Sequence, residues 1–137
     1  MLKLKPCLSA KNPYALSKHR YYELKHFCLQ YPEWVKIRRA IDISVPTNSV
    51  IKLRDEGRFD KIFEMATVRA DLTRNIEMVE RVSRRLDPVI GEWIFLAVTK
   101  GVNYTSLKTR YEIPCGKDLF YGYLRKFYYM LSQEKGL

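Results

Sequence analysis

Apolar side chains recur at the helical period through the second half of this chain, and that spacing sharply limits the folds open to it. Leu72, Ile76, Val79 and Leu86 stand four, three and seven residues apart, which lines them up on one face of a helix starting near Asp71. Asp87-Pro88 ends or kinks that helix, because proline pushes the preceding residue out of the helical region. Val89 to Lys100 then forms a further helix, apolar nearly all round and therefore buried, with Gly101 as its C-terminal stop. Nearer the start, Ser17 is placed as an N-cap for a helix carrying Tyr21, Leu24, Phe27, Cys28 and Tyr31. Pro32 suits the first turn of a second helix bearing Trp34, Ile37 and Ile41. Turn residues dominate Ile43 to Gly57, and a short helix is expected from Phe59 to Met65. IDISVPTNSVIKL is β-branched, but no other segment alternates strongly enough to pair with it. The expected fold is all-α: a small helical bundle ending in a C-terminal helix-turn-helix domain. Three segments are expected: a basic helical hairpin over 1–45, a connector over 46–69 and a helical domain over 70–137.

Charge narrows the partners. Of 137 residues, 25 are Lys or Arg and 15 are Asp or Glu, a net +10. The excess lies at the two ends, with nine basic and three acidic residues in 1–42, while 70–87 balance at four of each. A polyanion is the partner such a balance suits. Lys3, Lys5, Lys11, Lys18, Arg20 and Lys25 either track phosphates or form a solvated arm, and Lys36, Arg38 and Arg39 lean towards a DNA backbone. The start has no apolar run of signal-peptide length, and the most apolar stretch, Pro88 to Val98, contains Glu92 and is too short to span a bilayer. No membrane association and a cytoplasmic location in a bacterial host cell are expected. Three widely spaced cysteines, Cys7, Cys28 and Cys115, read as reduced thiols.

The segment from Tyr104 to Leu131 carries the functional expectation. Thr105 is placed to cap a short helix bearing Leu107 and Tyr111, Ile113-Pro114-Cys115-Gly116 reads as a turn behind an apolar anchor, and a longer helix follows from Lys117. Phe120, Tyr123, Leu124, Phe127, Met130 and Leu131 form its buried side. A short helix, a turn and a longer helix are the parts of a helix-turn-helix. Lys117, Asp118, Tyr121, Gly122, Arg125, Lys126 and Tyr129 then point outward, with Lys117, Tyr121 and Arg125 in one row. In that geometry Lys117, Asp118, Tyr121 and Gly122 sit deepest in the major groove of double-stranded DNA. Arg125 grips a guanine or clamps a phosphate, with Lys126 beside it. Thr105, Ser106 and Lys108 contact phosphates. Gly122 costs about 1 kcal/mol in a helix interior, which either a close backbone approach to DNA or close helix packing would explain.

YYELKHFCLQYPEW, AVTKGVNYTSLKTR and IPCGKDLFYGYLRKFYYML together resemble small proteins encoded by phages and mobile elements of Gram-positive bacteria. These are similar to the RinA/ArpU group of late-gene transcription activators, whose C-terminal domain resembles region four of sigma factors. The match covers roughly residues 70–133. It implies sequence-specific duplex binding, transcription control and no catalytic residues. Here the recognition helix opens with Pro-Cys-Gly-Lys-Asp, where sigma-like helices begin with Ser or Thr and a polar basic stretch, and aromatics crowd it. An activator also needs RNA polymerase, for which the N-terminal lobe is the available surface. A homodimer would match a palindromic site, with the Asp71–Asp87 seam as one possible contact.

Other residues point to little chemistry. His19 and His26 share a helical face near Cys28, but no metal-ligand spacing accompanies them, so no metal or cofactor is expected. Cys115, at a helix start beside Lys117, is expected to have a lowered pKa. Asp55, Glu56 and Asp60 lie among Arg54, Arg58 and Lys61, which reads as salt bridging, and Trp34 and Trp93 read as core anchors. No phosphate-cradling or hydrolase motif is present, so an enzyme is not expected. Two other classes fit the same pattern. One is a small-terminase-like DNA-packaging protein; the other is an interaction module that inhibits a host nucleoprotein with a repurposed helix-turn-helix.

Overall fold

The computed structural model describes residues 13–44 and 59–136, and every regular element among them is a helix. They are α1 (Lys18–Leu29), α2 (Tyr31–Ser44), α3 (Phe59–Leu86), α4 (Ile90–Lys100), α5 (Tyr104–Tyr111) and α6 (Lys117–Glu134). The fold is all-α. The reading of Ile43–Gly57 as turns lies mostly outside the described residues, as do Lys3, Lys5, Cys7, Lys11 and the Arg54–Arg58 cluster.

Local signals set most helix ends. The Ser17 hydroxyl accepts from the Arg20 N–H at 3.1 Å, capping α1. Gly101 ends α4 at φ 69°, in the left-handed region that glycine enters without a Cβ penalty. One boundary departs from expectation. The short helix at 59–65 and the helix from Asp71 are a single element, α3, because no Gly or Pro interrupts Phe59 to Leu86. Its seam residues Leu72, Ile76, Val79, Val82 and Leu86 are buried within the chain itself.

The described helices fall into two compact units, divided differently from the three sequence segments. Of the described residues, one unit holds 13–30 and 78–136; the other holds 31–44 and 59–77. Helix α1 joins the C-terminal elements because its buried Tyr21, Leu24 and Cys28 face α4 and α6, against which it packs. The core of this unit also contains Ile94 and Val98 of α4, Leu107 of α5, and Phe120, Phe127 and Leu131 of α6, all at most 2 % exposed. Each such burial stabilises by about 1.5–3 kcal/mol before chain entropy is counted. Tyr21 meets Tyr128 edge-on, with centroids 5.3 Å apart.

The corner between α3 and α4 organises this unit. Asp87 Oδ1 accepts from the N–H groups of Val89 and Ile90, both at 2.8 Å, and Oδ2 accepts from the Tyr123 hydroxyl at 3.3 Å. Gly91 lies so close to α3 that an added methyl would run into the Ser83 carbonyl oxygen. The other unit is an antiparallel helix pair. Arg69 forks onto both carboxylate oxygens of Asp42, and Arg38 donates to the Thr73 hydroxyl. Trp34 is buried, as expected of an anchor, whereas Ile37, Ile43, Phe63 and Val68 are exposed.

Gly91→Ala is therefore expected to destabilise the fold by about 1–3 kcal/mol, the range for overpacking, as read from urea unfolding. An unchanged midpoint would contradict the close approach of α4 to α3. A pH dependence follows from three carboxylates held below the usual range. The backbone N–H of Ile90 is the main cause at Asp87, Arg69 at Asp42 and Arg81 at Glu134. A carboxylate with a lowered folded-state pKa stabilises fully above its unfolded value near 4 and stops doing so as pH falls through the folded value. The urea midpoint is expected to fall below about pH 4.5. Asp87→Asn, which keeps a capping side chain, should flatten that fall; the same slope in both proteins would remove Asp87 from the account.

Candidate functional site

The last α4 turn, α5, the following turn and the first half of α6 form one continuous surface. The Asn103 side chain, rather than Thr105, caps α5: its Oδ1 accepts from the Ser106 N–H at 2.9 Å. Asn103 lies directly before the first helical residue and its backbone is extended, which is the capping geometry. Thr105 instead sits inside the helix and is exposed. At the other end Glu112 takes φ 53°, and the Ile113 N–H reaches back to the Leu107 carbonyl at 3.3 Å, which closes α5 and buries Ile113 completely. Ile113 is thus the apolar anchor its position suggested.

Tyr104 fastens the two helices. Its hydroxyl donates to the Cys115 carbonyl at 3.0 Å, and its ring lies 5.4 Å from Phe120 and 6.4 Å from Tyr121. Helix α6 begins at Lys117 behind Gly116, with no side-chain cap, and Asp118 in its first turn suits the helix dipole. Phe120, Leu124, Phe127 and Leu131 form its buried side as expected, joined by Tyr128, while Tyr123 and Met130 are only half-buried.

The structure splits the expected outward row. Lys117 and Tyr121 line a groove of about 470 Å³ with Tyr21 and Lys25 of α1, Tyr104 and Thr105. Asp118, Gly122, Arg125 and Lys126 line a second concavity of about 390 Å³, whose far wall is Pro13 and Tyr14. The Tyr14 ring also rests 5.4 Å from Tyr129. Thr105, Lys108, Lys117 and Asp118 are exposed; Ser106, Tyr121, Gly122, Arg125 and Lys126 are half-buried. The Ser106 N–H, being held by Asn103, has no further hydrogen to offer a phosphate. Gly122 is not explained by close helix packing, since a Cβ there would meet nothing within 4 Å.

Electrostatics set this surface apart. Elsewhere in the same unit ion pairs hold Arg20 to Glu23, and Arg81 and Arg85 to Glu134, while Lys18 and Lys25 of α1 are in none among the described residues. Among the described residues no ion pair holds Lys100, Lys108, Arg110, Lys117, Arg125 or Lys126. Between residues 100 and 126 the acidic residues are Glu112 and Asp118 alone.

Chemically reactive groups are few. The expectation for Cys115 is reversed: burial pushes its thiol up, against a smaller opposing pull from Lys108. Burial likewise raises the thiol of Cys28 and the phenol of Tyr128. His19 and His26 are exposed, and no cluster that would hold a metal ion occurs among the described residues. No helix there is long and apolar enough to cross a membrane. Sequence reasoning overlooked Asn103, Tyr104 and Tyr21 as site residues. The signal for Asn103 was available in the preference of Asn for caps; that for Tyr21, 83 residues before Tyr104, was not.

Comparison with family models, with curated proteins and with solved structures finds no match, so the site is read from its own chemistry.

The open environment of Gly122 yields a stability prediction. Gly122→Ala should stabilise the protein by up to about 1 kcal/mol, as for a glycine in an unhindered helix interior. Thermal unfolding monitored by circular dichroism tests this, and a destabilised variant would mean that the position is not open.

Proposed function

We propose that α5, the turn and α6 act as a helix-turn-helix that binds double-stranded DNA, and that the protein is a transcription regulator of a phage or mobile element. The observation that carries this reading is the concentration of six cations on one surface with few acidic residues among them. Among the described residues Lys100, Lys108, Arg110, Lys117, Arg125 and Lys126 are in no ion pair, and only Glu112 and Asp118 are acidic between residues 100 and 126. Four of them, Lys100, Lys108, Arg110 and Lys117, are exposed and available to phosphate oxygens, Arg125 and Lys126 are half-buried, and the net +10 of the chain draws it to a polyanion. The order of a short helix, a turn and a longer helix agrees with the motif, and the resemblance of residues 70–133 to the RinA/ArpU group, whose C-terminal domain resembles sigma region four, adds to it.

Each residue then has a role. Lys117, Asp118 and Gly122 lie in the first turns of α6, the part of a recognition helix that approaches base edges, and Gly122 leaves room for the backbone to come close. Tyr121 reaches the groove from its α1-facing side. Arg125, with Lys126, grips a guanine or a phosphate further along. Thr105 and Lys108 supply phosphate contacts, with Ser106 contributing its hydroxyl. Binding as a homodimer would suit a palindromic operator, and RNA polymerase is the protein partner an activator requires. The reaction is binding alone, without cofactor or catalytic residue, in the cytoplasm of a bacterial host.

Selection from a randomised duplex library, followed by anisotropy at about 50 and 200 mM salt, tests the proposal. A preferred sequence should emerge and survive the higher salt. Arg125→Ala and Lys117→Ala are expected to weaken binding about tenfold and relax the preference. Lys108→Ala should weaken all duplexes alike and lower the salt slope by about one. Binding that shows no preferred sequence, disappears at the higher salt and ignores these substitutions would overturn the regulator reading.

A further inference from the structure

The groove among α1, α5 and α6 has a composition that duplex binding does not explain. Its 470 Å³ fall within the roughly 300–1,000 Å³ range of small-molecule sites. Tyr21, Tyr104, Tyr121 and Tyr128 all line it, and its charged members are Lys25 and Lys117, with no carboxylate among them. Neither lysine is in an ion pair among the described residues, although Lys25 lies 6.0 Å from the centre of the Tyr22 ring. Tyr104 and Tyr121 are half-exposed, so ring surface is open to the groove, and the Tyr104 hydroxyl is already engaged by Cys115. That bond and the contact with Phe120 fix the Tyr104 ring in place.

Phosphates alone require cations and need no aromatic lining. A base stacked inside a duplex has no free face to offer a tyrosine. The two features together match a ligand with a negative phosphate and an exposed planar ring, since unpaired bases bind by stacking on aromatic side chains while cations track the backbone.

We propose that this groove binds a nucleotide whose base is unstacked, seating the ring on Tyr104 and Tyr121 and the phosphate between Lys25 and Lys117. The ligand is either part of a single strand or a free nucleotide. The groove shares Thr105, Lys117 and Tyr121 with the helix-turn-helix reading, but the inference does not rest on that reading, because Lys25 belongs to α1, and Arg125 and Lys126 lie outside the groove.

The test uses the full chain and three probes: fluorescein-labelled (dT)8, an abasic strand with the same number of phosphates, and a blunt two-stranded duplex without a loop. Expected is at least tenfold tighter binding of (dT)8 than of the abasic strand. Tyr121→Leu, which keeps apolar bulk, should abolish that difference, while Tyr104→Phe should keep it. Lys25→Ala should weaken both strands equally, and Arg125→Ala should spare the (dT)8 preference while impairing the duplex. Equal binding of (dT)8 and the abasic strand, or a preference that survives Tyr121→Leu with helix content intact, overturns the proposal. Competition by thymidine monophosphate identifies the source: displacement of (dT)8 at micromolar concentration marks the free nucleotide, and displacement only by strands marks single-stranded nucleic acid. The failure of this proposal would leave Arg125-dependent duplex preference untouched, and the failure of the duplex reading would leave the (dT)8 preference in place.

Discussion

The close approach of α4 to α3 at Gly91 is the constraint on which the rest of the larger unit depends. A side chain there would strike the Ser83 carbonyl, so only glycine lets the two helices meet at the Asp87–Pro88 corner. Asp87 completes the corner by capping α4 and accepting the Tyr123 hydroxyl, which ties α6 to the same point. Once α4 is set, Gly101 ends it, Asn103 starts α5, and the buried Ile113 and the Tyr104 hydroxyl set the course of the turn into α6. The position of Lys117 and the residues after it is the last consequence of that sequence of local constraints.

The two ends of α6 have different environments, and function is expected at only one. At its C-terminal end Glu134 neutralises Arg81 and Arg85, and the Lys135 ammonium lies 3.7 Å from the centre of the Phe27 ring. These exposed pairs contribute little to stability individually, but they remove cations from contact with outside anions. At the N-terminal end the cations have no such partners among the described residues, and Tyr104 and Tyr121 line the groove beside Lys117. A surface that is cationic and aromatic at once is consistent with the nucleic-acid partner proposed above.

Much of this was legible in the sequence where the cause is local. The Ser17 cap, the Gly101 stop, the start of α6 at Lys117 and the buried row of Phe120, Leu124 and Phe127 follow from capping chemistry and helical period. Errors arose where two local signals compete or where the cause lies far away in sequence. The 59–65 and 71–87 segments read as two helices because the apolar pattern changes between them, but no breaker separates them and the backbone continues. Asn103 wins the cap over Thr105 because it stands at the extended residue before the first turn. The Cys115 thiol reverses direction because burial outweighs a neighbouring lysine. The division of the outward α6 row depends on Tyr14, Tyr21 and Lys25, about a hundred residues earlier, and no spacing rule within α6 reports them.

In the proposed function the α5–turn–α6 surface, and not another face of the molecule, meets nucleic acid. Amide chemical-shift mapping on isotope-labelled full-length protein, titrated with a selected duplex, tests this most directly. The largest shifts are expected at residues 104–108 and 117–126, with α2 and the first half of α3 unchanged. Shifts concentrated on the exposed apolar residues of α2 and α3, such as Ile43 and Phe63, or no shifts at saturating duplex, would contradict it.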